Sequence, residues 1–517
     1  MKKIFSLLLC AAMLLSLFAG CGGQGGAETT GAANLEGFCV GYGSVIASPT
    51  ESVPLGGYND SLERWSTGVE NPFEVICVAF TDEDGETLLY ITLDLLLVYG
   101  FASPLRAKVS EATGIPENRI MIHCDHNHSG PDMLLQDQPS IGRYTDQVYN
   151  AAAEAATTAM ADRKPAQMHT TFCRVEGHNT VRHYLLADGN FQAEGVGAVS
   201  KDQLIGHATS PDTLLQLVKF TREGGKDVIM ANWQAHPPGT DPRTMATGNY
   251  YSVMRRYLRE NLNCEAVFVL GGSGNLNNGS QIPGEIKHDG YVELGEALGA
   301  AAVEAAANFT PADTGKLLFY ENDYTLQSNS GNSTVPLRAF SIGDFAMAMA
   351  PFEIFDTNAV AVREASKFKM TFYSSCTNAS KGYLPTPMSF DWEIAYEVRI
   401  TKYPKGTAEI VQEQLTLMLE DLFNRSGITE VKDKGEGYLA TPVEPKTDGV
   451  TYTIMRGGTG SGYRAVANGF FALSAITPDA KIKNLLTRDE ETAKKILEHE
   501  TAQLIFDYQG VVVGVVE

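Results

Sequence analysis

Short apolar runs bounded by turn residues alternate with longer segments of helical periodicity from about Phe38 to Ser426. "TLLYITLDLLLVYG" has the unbroken hydrophobicity of a buried strand. "SPLRAKVSEATG" behind it reads as a helix, with Ser103 as N-cap, Pro104 in the first turn and Gly114 as the stop. "NRIMIHCDHNH" is the next strand and "YTDQVYNAAAEAATTAMADR" an alanine-rich helix. "KDVIMANWQAHPPG" is a strand ending in a turn, and "EAVFVLGGSGNLNNGS" a strand running into a glycine-rich loop. "DGYVELGEALGAAAVEAAANF" is helical, and "FAMAMAPFEIF" strand-like. This alternation predicts an α/β class with a layered, mixed-sheet domain. No internal repeat is visible.

The pattern changes near the C-terminus. Residues 426–449 are polar and rich in turn formers, and read as a linker. After them "VTYTIMRG", "NGFFALSAIT" and "AQLIFDYQGVVVGVV" look like strands, and "TRDEETAKKILEHE" like a capped helix. Residues 450–517 are therefore expected to form a small α/β or α+β module.

At the other end, "MKKIFSLLLCAAMLLSLFAGC" has a positive start, an apolar stretch from Ile4 to Ala19 and small residues before Cys21. This is the layout of a secretory signal over residues 1–20. The apolar stretch is short for a membrane span, which needs roughly 20 residues. "FAGC" resembles a bacterial lipobox, which implies that Cys21 carries a lipid. Glycine-rich residues 21–36 would then be a flexible tether, and the protein extracytoplasmic and anchored to the cell membrane.

Net charge is -22. Nucleic-acid partners are not expected, because phosphate binding needs a basic surface. Six cysteines lie beyond Cys21, scattered and without a CxxC pair, so a zinc ribbon is not expected.

Chemistry concentrates in "IMIHCDHNHSGPDM", which holds His123, His126 and His128. Strand alternation puts Cys124, His126 and His128 on one face and His123 on the other. "SGPD" breaks the strand, so His126 and His128 should stand at its end, where α/β sheets build their sites. A metal-binding or catalytic role is indicated for the pair. His123 keeps a structural role.

Further motifs follow in one order: "VPLGGY" at Val53–Tyr58, "LDLLLV" around Asp94, "HNHSGPD" from His126, "AHPPGT" at His236, "GNLNN" from Gly274, "APFEIF" around Glu353 and "ASKGYLPT" around Tyr383. Together they resemble the catalytic domain of the neutral/alkaline non-lysosomal ceramidases and their bacterial relatives, over roughly residues 37–425. The resemblance implies one Zn2+ ion held by His126, His236, Glu353 and Tyr383, with His128 beside it to act on a carbonyl or transfer protons. It also implies substrate contacts from Arg182, in "HNTVRHY", and from Tyr396, in "AYEV". Asp94 ends an apolar strand and is placed to orient a metal ligand from behind.

Imidazole and carboxylate are ordinary zinc ligands, and a catalytic zinc keeps a position for water. Bound zinc lowers the pKa of that water to about 7. The chemistry implied is attack of zinc-bound water on an amide carbonyl, with a proton delivered to the leaving amine. The expectation is an exported zinc hydrolase acting on ceramide or another N-acyl lipid. A hydrolase of esters or polar amides, and a non-catalytic binding lipoprotein on the same fold, are the alternatives.

Two departures stand out. Asn277 occupies the position where the resembled family carries serine, and its role is that of a hydrogen-bond donor to a carbonyl or oxyanion. Residues 450–517 are also too few for the terminal immunoglobulin-like domain of that family, which has roughly 100 residues.

Overall fold

The computed structural model describes residues 37–186, 191–193, 201–391, 395–439, 445–456, 462–466, 470–507 and 509–516. One motif occurs in it three times: three antiparallel strands, a helix, a fourth strand parallel to the third, and a second helix. The first unit comprises β1 (Cys39–Ile46), β2 (Glu74–Thr81), β3 (Thr87–Leu93), α1 (Ala102–Thr113), β4 (Ile120–Cys124) and α2 (Pro139–Ala161). The second comprises β5 (Lys164–Arg174), β6 (Leu214–Arg222), β7 (Val228–Trp233), α3 (Asn249–Leu262), β8 (Glu265–Leu270) and α4 (Gly290–Ala305). The third comprises β9 (Leu317–Ser328), β10 (Gly331–Ile342), β11 (Phe345–Met349), α5 (Asp356–Ala365), β12 (Met370–Ser374) and α6 (Thr407–Arg425). The repeat is one of topology, and the sequence carries no trace of it.

Units one and two join where β1 and β5 pair at their starts, Cys39 with Pro165 and Val40 with Lys164. One sheet results, in the order β8-β7-β6-β5-β1-β2-β3-β4, with Thr310–Ala312 added beside β5. The third unit forms its own four-stranded sheet. Alternate residues of each strand face opposite sides. In β2, Val75, Cys77 and Ala79 pack among α1 and α2, whereas Ile76, Val78 and Phe80 enter a core shared by all three units. In β7, Ile229 and Ala231 face α3 and α4, and Val228 and Met230 face the shared core. The architecture is α/β with several mixed sheets, each backed by its own helices.

Within a unit, β-strands one, three and four run in the same direction. Their following loops therefore leave from one end of that unit. The ends of the three fourth strands meet: the Cys124 amide donates to Cys376 O (3.3 Å), the Asn378 amide to Ile122 O (2.7 Å), and the Ser375 amide to Leu270 O (3.0 Å). His123 fastens this junction. Its Nδ1 lies 2.8 Å from Ser375 O, and its Nε2 accepts from the Leu270 amide at 3.1 Å.

Two local expectations are corrected. Ser103 is not an N-cap: α1 starts at Ala102 with Phe101 as the capping residue, and Ser103 sits in the first turn without a capping bond. Gly114 does end the helix, in the left-handed region (φ 73). The strand carrying the histidine motif stops at Cys124, and His126 has φ 65, so alternation does not extend to the pair. In the polar segment after α6, the buried Tyr438 hydroxyl accepts from Gln216 Nε2 (2.9 Å) and from the Thr371 amide (3.0 Å).

Beyond that segment, a six-stranded sheet runs from Lys446 to Val515 with one helix, Glu490–Leu497. It has a core of its own around Tyr452, Leu473 and Leu504. Phe470, Leu486 and Val511 instead join the core of the third unit, beside Leu384 and Ile410.

Candidate metal centre

His126, His236, Glu353 and Tyr383 come from loops of all three units. His126 follows β4, His236 follows β7, and Glu353 and Tyr383 follow β11 and β12. Glu353 and Tyr383 pair directly in a two-residue parallel ladder. Glu353 Oε2 lies 3.1 Å from His126 Nε2 and 3.5 Å from His236 Nε2. The Tyr383 hydroxyl lies 3.2 Å from His236 Nε2. All four residues are buried.

The hydrogen bonds around this group leave it short of protons. His126 Nδ1 faces Leu96 O at 3.2 Å, and His236 Nδ1 faces Ser273 O and Leu276 O at 2.9 Å each. A carbonyl oxygen only accepts, so Nδ1 carries the proton in both rings and the lone pair of the neutral imidazole sits on Nε2. Both Nε2 atoms point at Glu353 Oε2, which is buried without a hydrogen-bond donor. Acceptors facing acceptors in a buried place favour positive charge between them, and the group could hold a metal ion. Imidazole and carboxylate are ligands of zinc and of other divalent transition metals. The backbone carbonyls that orient the imidazoles are the usual outer support of metal-binding histidines.

His128 stands beside the group, with Nε2 3.1 Å from His126 Nε2. The three histidines alone bring ligand nitrogens within 4.8 Å of one another and could hold a metal ion. Gly57 explains how His128 fits. Its φ is 98, and a Cβ there would come within 2.5 Å of the His128 ring. Tyr58 meets the same ring edge-on at 5.2 Å, and Arg64 Nη1 donates to His128 O at 3.1 Å.

Burial drives the ionisation behaviour. It pushes His128 well below the ordinary histidine value, helped by the two neighbouring imidazoles, and His236 down to about 4, helped by Arg182. For Glu353 burial acts upward, and the lowering that His126 and His236 exert holds only when positive charge sits between them and the carboxylate. Tyr383 is raised by burial and by Glu353, with Arg182 opposing.

Arg182 lies against Tyr383 and Tyr396, its guanidinium carbon 5.5 Å and 5.9 Å from the two ring centres. Tyr396 is 38% exposed and its ring is 6.0 Å from that of Tyr383, so it stands at the outer edge of the group. Asn277 is half-buried in a two-residue ladder with Thr180, one residue after the carbonyl that orients His236. Its neighbour Asn278 donates to His236 O at 2.9 Å. The Asp94 carboxylate grips Arg255 (2.8 and 2.6 Å) and accepts from the Glu74 amide. Its side chain also hydrogen-bonds Asp125 in the histidine loop, and its main-chain carbonyl accepts from Asn127 Nδ2 at 3.2 Å. Cys21 lies outside the described residues.

Sequence reasoning passed over two supports. Asn275 and Asp356 exchange a pair of 2.8 Å bonds that tie the glycine-rich loop to the residues after Glu353. Gly274 has no room for a side chain, since a Cβ would meet Glu353 O at 2.5 Å. Only the run of glycines hinted at such a close approach. A cleft of about 2620 Å³ lies elsewhere, between Asp212, Asp356 and the C-terminal sheet.

No family model matches the chain, and no match among curated proteins reaches significance. Solved structures do match. The neutral ceramidase from Pseudomonas aeruginosa aligns with a TM-score of 0.61 at 13% identity, over 87% of this chain and 98% of that one. A ceramidase complexed with C2 aligns with a TM-score of 0.62 at 14% identity, over the same shares. The chain has the fold of the neutral ceramidases.

Proposed function

We propose that this chain is a zinc-dependent hydrolase of N-acyl lipids of the ceramide type. The observation that carries the reading is the buried convergence of two imidazole lone pairs on a carboxylate oxygen without a donor. The fold supports the substrate class, because the solved neighbours are ceramidases.

His126, His236, Glu353 and Tyr383 would hold the ion. When bound, zinc supplies an acidified water and a Lewis acid for the amide carbonyl. The remaining tasks fall to the chain. Hydrolysis forms a C–O bond to the acyl carbon and breaks the C–N bond, and the departing nitrogen needs a proton. His128, kept neutral by burial, can take a proton at Nε2 and return it to that nitrogen. Asn277 can donate to the carbonyl oxygen as it gains charge. Arg182 and Tyr396 can orient the substrate at the outer edge. Burial of the ligands keeps bulk water from the reacting atoms.

A second reading, hydrolysis of esters or of amides other than ceramide, is favoured by Asn277 in place of a hydroxyl. The proposal extends to the layout: residues 37–425 as the hydrolase domain, 450–517 as an accessory module, and a lipid on Cys21 that anchors the protein outside the cytoplasm. The test is the zinc content of purified protein together with a panel of N-acyl sphingosines, N-acyl amino acids and esters. One zinc per chain and zinc-dependent release of fatty acid from the first class is the expected result. Cleavage of esters alone would move the assignment to the second reading. Bound zinc with no hydrolysis of any member would leave a binding protein.

A further inference from the structure

Glu397 is fully buried in a five-residue helix, Tyr396–Ile400, directly after the exposed Tyr396. Its two carboxylate oxygens are used separately. Oε1 accepts from Arg182 Nε, and Oε2 lies 2.9 Å from His183 Nε2. A second edge of the Arg182 guanidinium donates to Gly274 O at 2.7 Å. Arg182 is thus clamped between a carboxylate and the glycine-rich loop; it also hydrogen-bonds the Tyr383 side chain, and its guanidinium carbon lies 5.5 Å and 5.9 Å from the ring centres of Tyr383 and Tyr396. The clamp is tied to the metal ligands at two points. Gly274 donates to Ile354 O, next to Glu353 (2.8 Å), and Thr401, which closes the helix of Glu397, donates its hydroxyl to Tyr383 O (2.8 Å).

A long arginine side chain left to itself samples many rotamers, and ordering it costs conformational entropy. Two charged or carbonyl acceptors remove that freedom before any ligand arrives. Arg182 and His183 both favour the ionised Glu397 carboxylate against the effect of burial, and hold its carboxyl at about 2.

We propose that Glu397 is a positioning residue: it fixes the Arg182 cation between Tyr383 and Tyr396 so that Arg182 receives the carbonyl or carboxylate end of the acyl substrate. The inference rests on the hydrolase reading for its substrate, but not for its geometry.

The experiment is a double-mutant cycle with two readouts in the zinc-loaded, full-length protein. Glu397→Gln preserves shape and removes the charge; Arg182→Ala removes the partner; the third variant carries both. The first readout is KM and kcat for an N-acyl substrate, and the second is the Kd of sodium laurate, a free fatty acid. Losing one charge-assisted bond costs about tenfold or more. Glu397→Gln should therefore weaken laurate binding and raise KM by about tenfold, with a smaller fall in kcat and one zinc retained. The double variant should be no worse than Arg182→Ala, because Glu397 acts through Arg182. Additive losses would overturn the proposal, as would laurate binding unaffected by Glu397→Gln, or absent from the wild type. Failure of the wild type to hydrolyse amides would sink the hydrolase reading instead, and the laurate cycle would still decide the role of Glu397.

Discussion

The Glu353 carboxylate lies 3.1 Å from His126 Nε2 with no donor on its buried oxygen. Such an arrangement is poor for stability without a cation, since each unmatched buried group costs about 1–3 kcal/mol. Glu353→Gln replaces one acceptor by an amide that can donate to an imidazole. We expect this variant to lose most of its bound zinc and yet to melt at a higher temperature than the metal-free wild type. Zinc analysis and thermal unfolding in chelator check both halves. Full zinc retention in Glu353→Gln, or in His126→Ala, would remove these residues from the ligand set.

Gly57 makes a different demand. An alanine there would occupy the space of the His128 ring and force a Cβ into the left-handed region, at about 1–2 kcal/mol. Gly57→Ala should therefore displace His128 while leaving His126, His236 and Glu353 in place. Strongly reduced hydrolysis with undiminished zinc is the expected pair of results. Loss of zinc as well would mean that His128 is itself a ligand.

Asn277 and His126 should separate by severity. Losing one oxyanion donor costs about 10²- to 10³-fold in rate, whereas losing the ion removes the activated water altogether. Asn277→Ala should keep measurable amidase activity and His126→Ala none. Equal inactivity at equal zinc content would make Asn277 a central catalytic group.

His123 governs stability and its pH dependence. Burial holds it down to about 3, against an ordinary value of 6.5. Between those values the unfolded chain takes up a proton that the folded chain refuses, so stability falls as the pH drops through that window. His123→Gln should be less stable than wild type at pH 7, because the Leu270 amide and Ser375 O lose their partner. The gap between the two proteins should narrow towards pH 3. Chemical denaturation across that range checks it, and a constant gap would contradict the assignment.

Anchoring through Cys21 is tested by fractionation. Wild type should be found with the membrane and Cys21→Ser should not. Equal association of both, with an uncleaved N-terminus, would point to a membrane-spanning segment instead.

Element types and order were legible in the sequence, because hydrophobic runs and stop signals such as Gly114 are local properties of the chain. So were His126 and His128 as a pair, through their spacing. Resemblance alone pointed to His236, Glu353 and Tyr383, since nothing local distinguishes a zinc-binding tyrosine from a packed one. The threefold motif, the meeting of the three fourth strands on His123 and the clamp of Glu397 on Arg182 were decided only by tertiary structure. Each depends on residues far apart in the chain, and periodicity carries no information about which distant loops meet. Even the convergence of His126 and His128 arose differently from the expectation, from a backbone turn at φ 65 rather than from strand alternation. Local pattern fixes where side chains point within an element; the packing of three units fixes which of them face one another.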